Sequence, residues 1–165
     1  MKLPILVATI ALAGLMVAGC AKNEGGAAAA APAAAAAPAG PRVVEITAND
    51  TMKYNVTSIE LKVGEEVQVS LTNAGTMPKQ AMAHNFAVLK PGTDVSAFAL
   101  AGAPAADTEH IAPSMSGDVI AKTKLLGPGE SDSVTLKFDQ PGVYPFLCTF
   151  PGHYQVGMHG TITVK

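Results

Sequence analysis

A thiol, an imidazole and a thioether fall within one short stretch near the end of the chain, Cys148-Thr149-Phe150-Pro151-Gly152-His153-Tyr154-Gln155-Val156-Gly157-Met158. A second imidazole, His84, stands far upstream between Ala83 and Asn85. One thiolate and two imidazoles in a trigonal arrangement, with a long axial thioether, form the donor set of a copper site that fully satisfies neither oxidation state. Such a site needs little rearrangement when an electron arrives or leaves. His84, Cys148, His153 and Met158 are therefore the expected ligands of one copper ion, and single-electron transfer is the expected chemistry. Singly, each has a duller explanation, because a lone Cys closing a strand is usually packing and a lone Met usually fills a core. Their order and company argue for metal. His110 and His159 lack such company and read as solvated or structural.

Three donors on one loop can meet a fourth from elsewhere only if a rigid scaffold carries both. From Arg42 to Lys165 the chain alternates apolar and polar residues between turn signals, the pattern of an all-β domain. Strands are expected at Val44–Thr47, Ser58–Val63, Val67–Thr72, Asn85–Leu89, Val119–Leu125, Val134–Phe138, Val143–Cys148 and Thr161–Val164. The inward sets are Ile59-Leu61-Val63, Val67-Val69-Leu71, Val134-Leu136-Phe138 and Ile162-Val164. Pro91-Gly92, Gly127-Pro128-Gly129, Pro141-Gly142 and Pro151-Gly152 punctuate them as turns. Short strands at this spacing predict a Greek-key sandwich. The stretch from Thr93 to Gly117 breaks the pattern and predicts an excursion with a short helix over Asp94–Leu100.

Upstream, one positive charge precedes an apolar run from Leu3 to Ala18, shorter than the roughly 20 residues a spanning helix needs. Residues 1–19 thus read as an export signal. The run leads into Val17-Ala18-Gly19-Cys20, which resembles the lipobox of bacterial lipoproteins, so Cys20 is expected to become a lipid-modified first residue anchoring the protein to a membrane. The alternative is an ordinary signal that happens to contain a cysteine. Residues 20–41, nearly all Ala, Gly and Pro after the first few, form a tether. Their prolines cut the alanine runs below the length an isolated helix requires, and a stretched tether would reach roughly 65 to 75 Å.

The chain has only two cysteines, which leaves no disulfide once Cys20 takes lipid and Cys148 metal. Export also suits a metal-held thiolate, because an unoccupied free thiol is a liability in an oxidising compartment. The net charge of −2 gives no basic face for nucleic acid. The predicted location is extracytoplasmic, in the periplasm or at the cell surface.

The segments Val119 to Thr135, Cys148 to His153 and Asn49-Asp50-Thr51-Met52-Lys53-Tyr54 resemble azurin, and the similarity runs through most of residues 42–165. It implies an eight-stranded cupredoxin sandwich with one type 1 copper. Four residues, 154 to 157, separate His153 from Met158, one more than in azurin. In that spacing and in its lipoprotein-like start the chain is more similar to auracyanin, the azurin-like carrier of filamentous photosynthetic bacteria. The resemblance implies that Asn85 bonds across to the copper loop and steadies the thiolate, and that Phe150 packs over the site. It also implies a weak copper contact from the backbone carbonyl of Ala83. Azurin has Gly at this position, and the added Cβ leaves two alternatives open: the carbonyl stays near the copper, or the backbone is pushed away and the site is four-coordinate.

Met77, Pro78, Met82, Pro151 and Gly152, with Phe150 and Gly157, are expected to form an apolar rim around the edge of His153. Redox protein partners would dock there transiently over less than about 1,200 Å², with the protein a monomer. The competing reading is that these residues merely cap the core. A copper enzyme would need a second metal centre, for which only His110 and His159 remain. A copper chaperone or storage protein would need exposed, exchangeable ligands, and a metal-free interaction module would not need all four.

Overall fold

In the computed structural model, which describes residues 40–165, strands β1 (Arg42–Ala48), β3 (Glu66–Asn73) and β6 (Ser131–Lys137) form one sheet. The second has the order β2 (Ser58–Leu61), β8 (His159–Val164), β7 (Gly142–Leu147), β4 (Ala87–Leu89), β5 (Val119–Lys122). The eight-stranded, all-β sandwich is as expected. The export signal, Cys20 and all but the end of the tether lie outside the described residues. Two pairings are parallel, β1 with β3 and β2 with β8, and the others antiparallel.

Alternation builds the core. In β3, Val67, Val69 and Leu71 are wholly buried while their neighbours face outward, the two-residue period of a strand with one wet face. They meet Ile59, Leu61, Ile162 and Val164 from the opposing sheet. Phe86 and Phe146 pack with ring centroids 4.6 Å apart, and Tyr54 stands 5.7 Å from Phe146. A smaller cluster lies where helix α2 (Val95–Gly102) contributes Phe98 and Ala99 to Ala87, Leu89, Ile111 and Leu147.

Three expectations need correction. Val63 does not point inward: it is 44% exposed, because β2 ends at Leu61 and the chain turns through Gly64 at φ +77°. β5 stops at Lys122, not Leu125, because side-chain carboxylates capture the next amides: Lys124 N–H donates to Asp132 Oδ2 (2.9 Å) and Leu125 N–H to Glu109 Oε1 (3.0 Å). β4 begins at Ala87, not Asn85, since the Phe86 amide donates to the Thr123 hydroxyl at 3.0 Å and His84 forms an isolated bridge with Leu126. The excursion holds a helix as expected, running Val95–Gly102 where Asp94–Leu100 was expected, because Asp94 caps it, its carboxylate accepting from Ala97 N–H at 3.0 Å. Helix α1 (Lys79–Met82) and two 3₁₀ turns, Ala106–Thr108 and Pro113–Asp118, were not anticipated.

Candidate metal centre

The β7–β8 connection is a long hairpin loop closed by a backbone hydrogen bond, Cys148 N–H to Met158 O at 3.1 Å. Inside it, His153 N–H donates to Phe150 O (3.1 Å), Gly157 N–H to Tyr154 O (2.8 Å) and Met158 N–H to His153 O (2.9 Å). Gly152 and Gly157 have φ of +84° and +94°, a left-handed conformation that costs side-chain-bearing residues and is open to glycine. These turns fold the loop so that Cys148, His153 and Met158 are all buried.

His84 comes from the other side, between α1 and β4. Its backbone exchanges two hydrogen bonds with Leu126, at 3.1 and 2.7 Å. The Leu126 carbonyl accepts a further bond at 3.0 Å from the buried amide of Asn73. So placed, the ligand atoms of His84, Cys148 and His153 lie within 4.8 Å of one another, all three residues buried. Cys148 Sγ is 3.4 Å from His153 Nδ1, and the two imidazole rings are 4.9 Å apart. The Ala83 carbonyl stands 3.9 Å from the sulfur.

The electrostatics fit a cation. Burial pushes the Cys148 thiol up to about 12, against the smaller opposing effect of the Asn85 and Phe150 amides at the sulfur. Burial, then the neighbouring His84 and His110, pushes His153 down to about 4. Burial also lowers His84, with the Asn49 carbonyl and Asp50 pulling the other way. Both imidazoles are thus neutral at pH 7 and offer lone pairs, while the thiolate needs a positive ion beside it. Neither ring nitrogen of His84 completes a hydrogen bond, since the Asn49 carbonyl acts on the ring without bonding geometry. A buried polar group left so costs about 1–3 kcal/mol, which a metal bond removes. Among the described residues no other set of three His, Cys, Asp or Glu side chains converges this way. Thiolate with imidazole suits copper.

Asn85 does bond across to the loop, through Thr149: its Nδ2 donates to Thr149 Oγ1 and its Oδ1 accepts from Thr149 N–H, both at 2.9 Å. The Phe150 ring lies 4.8 Å from that of His153 and 5.3 Å from that of His110. His110 bonds Ala103 O at 3.1 Å, and the exposed His159 stacks on Tyr154. Neither joins the cluster. Of the expected rim residues, Met77, Pro78 and Gly152 are exposed, while Met82 and Pro151 are half-buried. His153 itself is 2% exposed, less than any of these rim residues.

Sequence reasoning missed Thr149 and Glu109. Thr149 donates its hydroxyl to the Glu109 carbonyl at 2.7 Å, while the Glu109 carboxylate pairs with Lys122 and accepts from Leu125 N–H. A hydroxyl directly after a ligand cysteine was the available signal for Thr149. Glu109, in the left-handed region at φ 54°, left none.

Known proteins share this arrangement. Azurin of Pseudomonas aeruginosa is 40% identical over 127 residues, covering 74% of this chain and 84% of its own length. Auracyanin-B of Chloroflexus aurantiacus is 36% identical over 137 residues, covering 77% of this chain and 57% of its own. Outer membrane protein H.8 of Neisseria gonorrhoeae is 40% identical over 129 residues, covering 76% and 69%. The crystal structure of dithionite-reduced auracyanin from Roseiflexus castenholzii superposes with a TM-score of 0.65 at 32% identity, over 76% of this chain and 99% of that one. Residues 42–165, which hold the sandwich and all the converging side chains, match the family described as copper binding proteins of the plastocyanin/azurin type, and the chain belongs to that family.

Proposed function

We propose that this protein is a lipid-anchored blue copper carrier that passes single electrons between redox partners outside the cytoplasm, and is not an enzyme. The convergence of His84, Cys148 and His153 in a buried pocket, with both His84 nitrogens unsatisfied, carries the reading. One copper ion held there supplies a one-electron Cu(I)/Cu(II) couple. His84, Cys148 and His153 would hold that ion, with the buried thioether of Met158 as a weaker fourth donor. Asn85 holds the two ligand-bearing segments together, and burial keeps water from the metal.

The ring edge of His153 is the exit for the electron. Met77, Pro78, Met82, Pro151 and Gly152 form the rim on which a partner docks transiently, and exposed Val156 extends it. The protein works as a monomer in a photosynthetic or respiratory chain. Lipid on Cys20 ties it to a membrane, a reading supported by similarity to a protein named for the outer membrane. Burial of the ligands weighs against a chaperone, whose metal must be handed on.

Titrating the purified protein with Cu(II) tests the core of the proposal. An intense thiolate-to-copper absorption saturating at one equivalent, and lost in Cys148→Ser, is expected; no such band would sink it. Mass spectrometry of membrane-extracted protein tests the anchor, which fails if the first residue is not a lipid-modified Cys20.

A further inference from the structure

Residues Asn49 to Tyr54 touch several parts of the copper region. The Asp50 carboxylate accepts from Thr76 N–H (2.9 Å), the Thr76 hydroxyl (2.9 Å) and Met77 N–H (3.3 Å). The Tyr54 hydroxyl donates to the carbonyl of Asn85. Between them, Lys53 reaches the ligand loop itself, its ammonium donating to the carbonyl of Val156.

That carbonyl belongs to the peptide unit joining Val156 to Gly157, whose N–H donates to Tyr154 O at 2.8 Å. The unit is therefore gripped at both ends. Gly157 follows at φ +94°, and a Cβ there would stand 2.8 Å from the Lys53 nitrogen, so the glycine serves the turn and leaves room for the ammonium. The next residue is Met158, bonded through its backbone to His153 and Cys148. The grip falls within the stretch between His153 and Met158 that is one residue longer than azurin's.

We propose that Lys53 is a positioning residue of the copper site: by holding the Val156–Gly157 peptide it fixes the approach of Met158, and its charge favours Cu(I) over Cu(II). The charge effect has a definite sign, because a fixed positive charge disfavours the more positive metal. Lys53 is exposed, so salt screens that part and leaves the positioning part untouched. The inference rests on Met158 being the axial ligand.

Voltammetry and visible spectra of the copper-loaded full chain, with amide hydrogen exchange on the copper-free protein, test it in Lys53→Met, Lys53→Arg and Met158→Gln. Lys53→Met is expected to lower the midpoint potential, alter the visible band ratio and speed exchange at Gly157 and Met158 by about two- to fivefold, the equivalent of one exposed hydrogen bond. Lys53→Arg, which keeps the charge and a donor, is expected to restore most of each. If Lys53→Met leaves the midpoint unmoved while Met158→Gln shifts it, the role of Lys53 is overturned and the axial ligand stands; faster exchange with an unmoved midpoint overturns it equally. If Met158→Gln does not shift the midpoint, the axial assignment fails and the copper role of Lys53 fails with it.

Discussion

The two segments that meet at the metal centre are held by different means. His84 and Phe86 are woven into remote parts of the sandwich, His84 to Leu126 and Phe86 to Thr123, while Asn85 between them bonds across to the loop at Thr149. The loop from Cys148 to Met158 is held largely by its own turns, with Lys53, Asn85 and the Glu109 carbonyl bonding it from outside. His84 thus inherits the rigidity of the core, while the side chains on the loop depend on local sequence. A loop of this kind can differ in length from azurin's without disturbing the strands, because its ends, Cys148 and Met158, stay paired.

Separating the two segments should have the largest effect. Asn85→Ala removes both bonds to Thr149 and leaves the Thr149 N–H without a partner in a dry interior, while its hydroxyl keeps the bond to the Glu109 carbonyl, at a cost of about 2–3 kcal/mol. We expect a blue site with altered potential and a clearly lower urea midpoint. An unchanged midpoint would mean that the two segments are not coupled through this residue.

Acid tests both segments together. The folded, copper-free protein keeps His153 neutral down to about 4, whereas an unfolded imidazole titrates near 6.5. Between those values the unfolded chain binds a proton that the folded chain refuses. The contribution is therefore full above 6.5 and is lost as pH falls toward 4. From pH 7 to pH 5 the copper-free protein should lose about 2 kcal/mol, read from denaturant midpoints. The lowered His84 acts in the same direction. Equal stability at the two pH values would contradict the burial of both rings.

Smaller effects distinguish the segments. Asn73→Ala removes the donor that supports Leu126 behind His84 and the acceptor of the Gly75 N–H, and should cost about 1–2 kcal/mol, since the Leu126 carbonyl keeps its bond from His84. Gly152→Ala strains only the loop: no atom lies within 4 Å of the new methyl, so the cost is the left-handed backbone, about 1 kcal/mol. If the contrast between segments is right, Asn73→Ala leaves amide exchange within the loop unchanged and Gly152→Ala raises it. The reverse pattern would dissolve the distinction.

What the sequence disclosed follows from how far each interaction reaches. The sandwich was legible because burial on alternate residues is a local pattern, as in Val67, Val69 and Leu71. The converging side chains were legible because soft and imidazole donors rarely fall together without chemistry. The short helix was legible as a break in the strand pattern between Thr93 and Gly117, while the capping role of Asp94 came only with the structure. Glu109 and Asp132 were silent: both take amides just beyond β5 that alternation alone would have assigned to the sheet. Lys53 was equally silent, since its partner is a carbonyl far along the chain and any lysine at a surface looks solvated. Helix α1 is a single turn, too short for a helical period to show.

The place of β8 sets an order in time. It lies between β2 and β7, and β2 has no other neighbour in its sheet. A chain emerging from the ribosome, or threading through a membrane, therefore carries β2 without a mate until residues 159–164 arrive. Met158 and the backbone bond that closes the ligand loop arrive at the same moment. A chain that stops short of β8 can collapse around Phe86 and Phe146, yet it lacks the closed loop, so the metal site and the last pairing of its sheet are completed together.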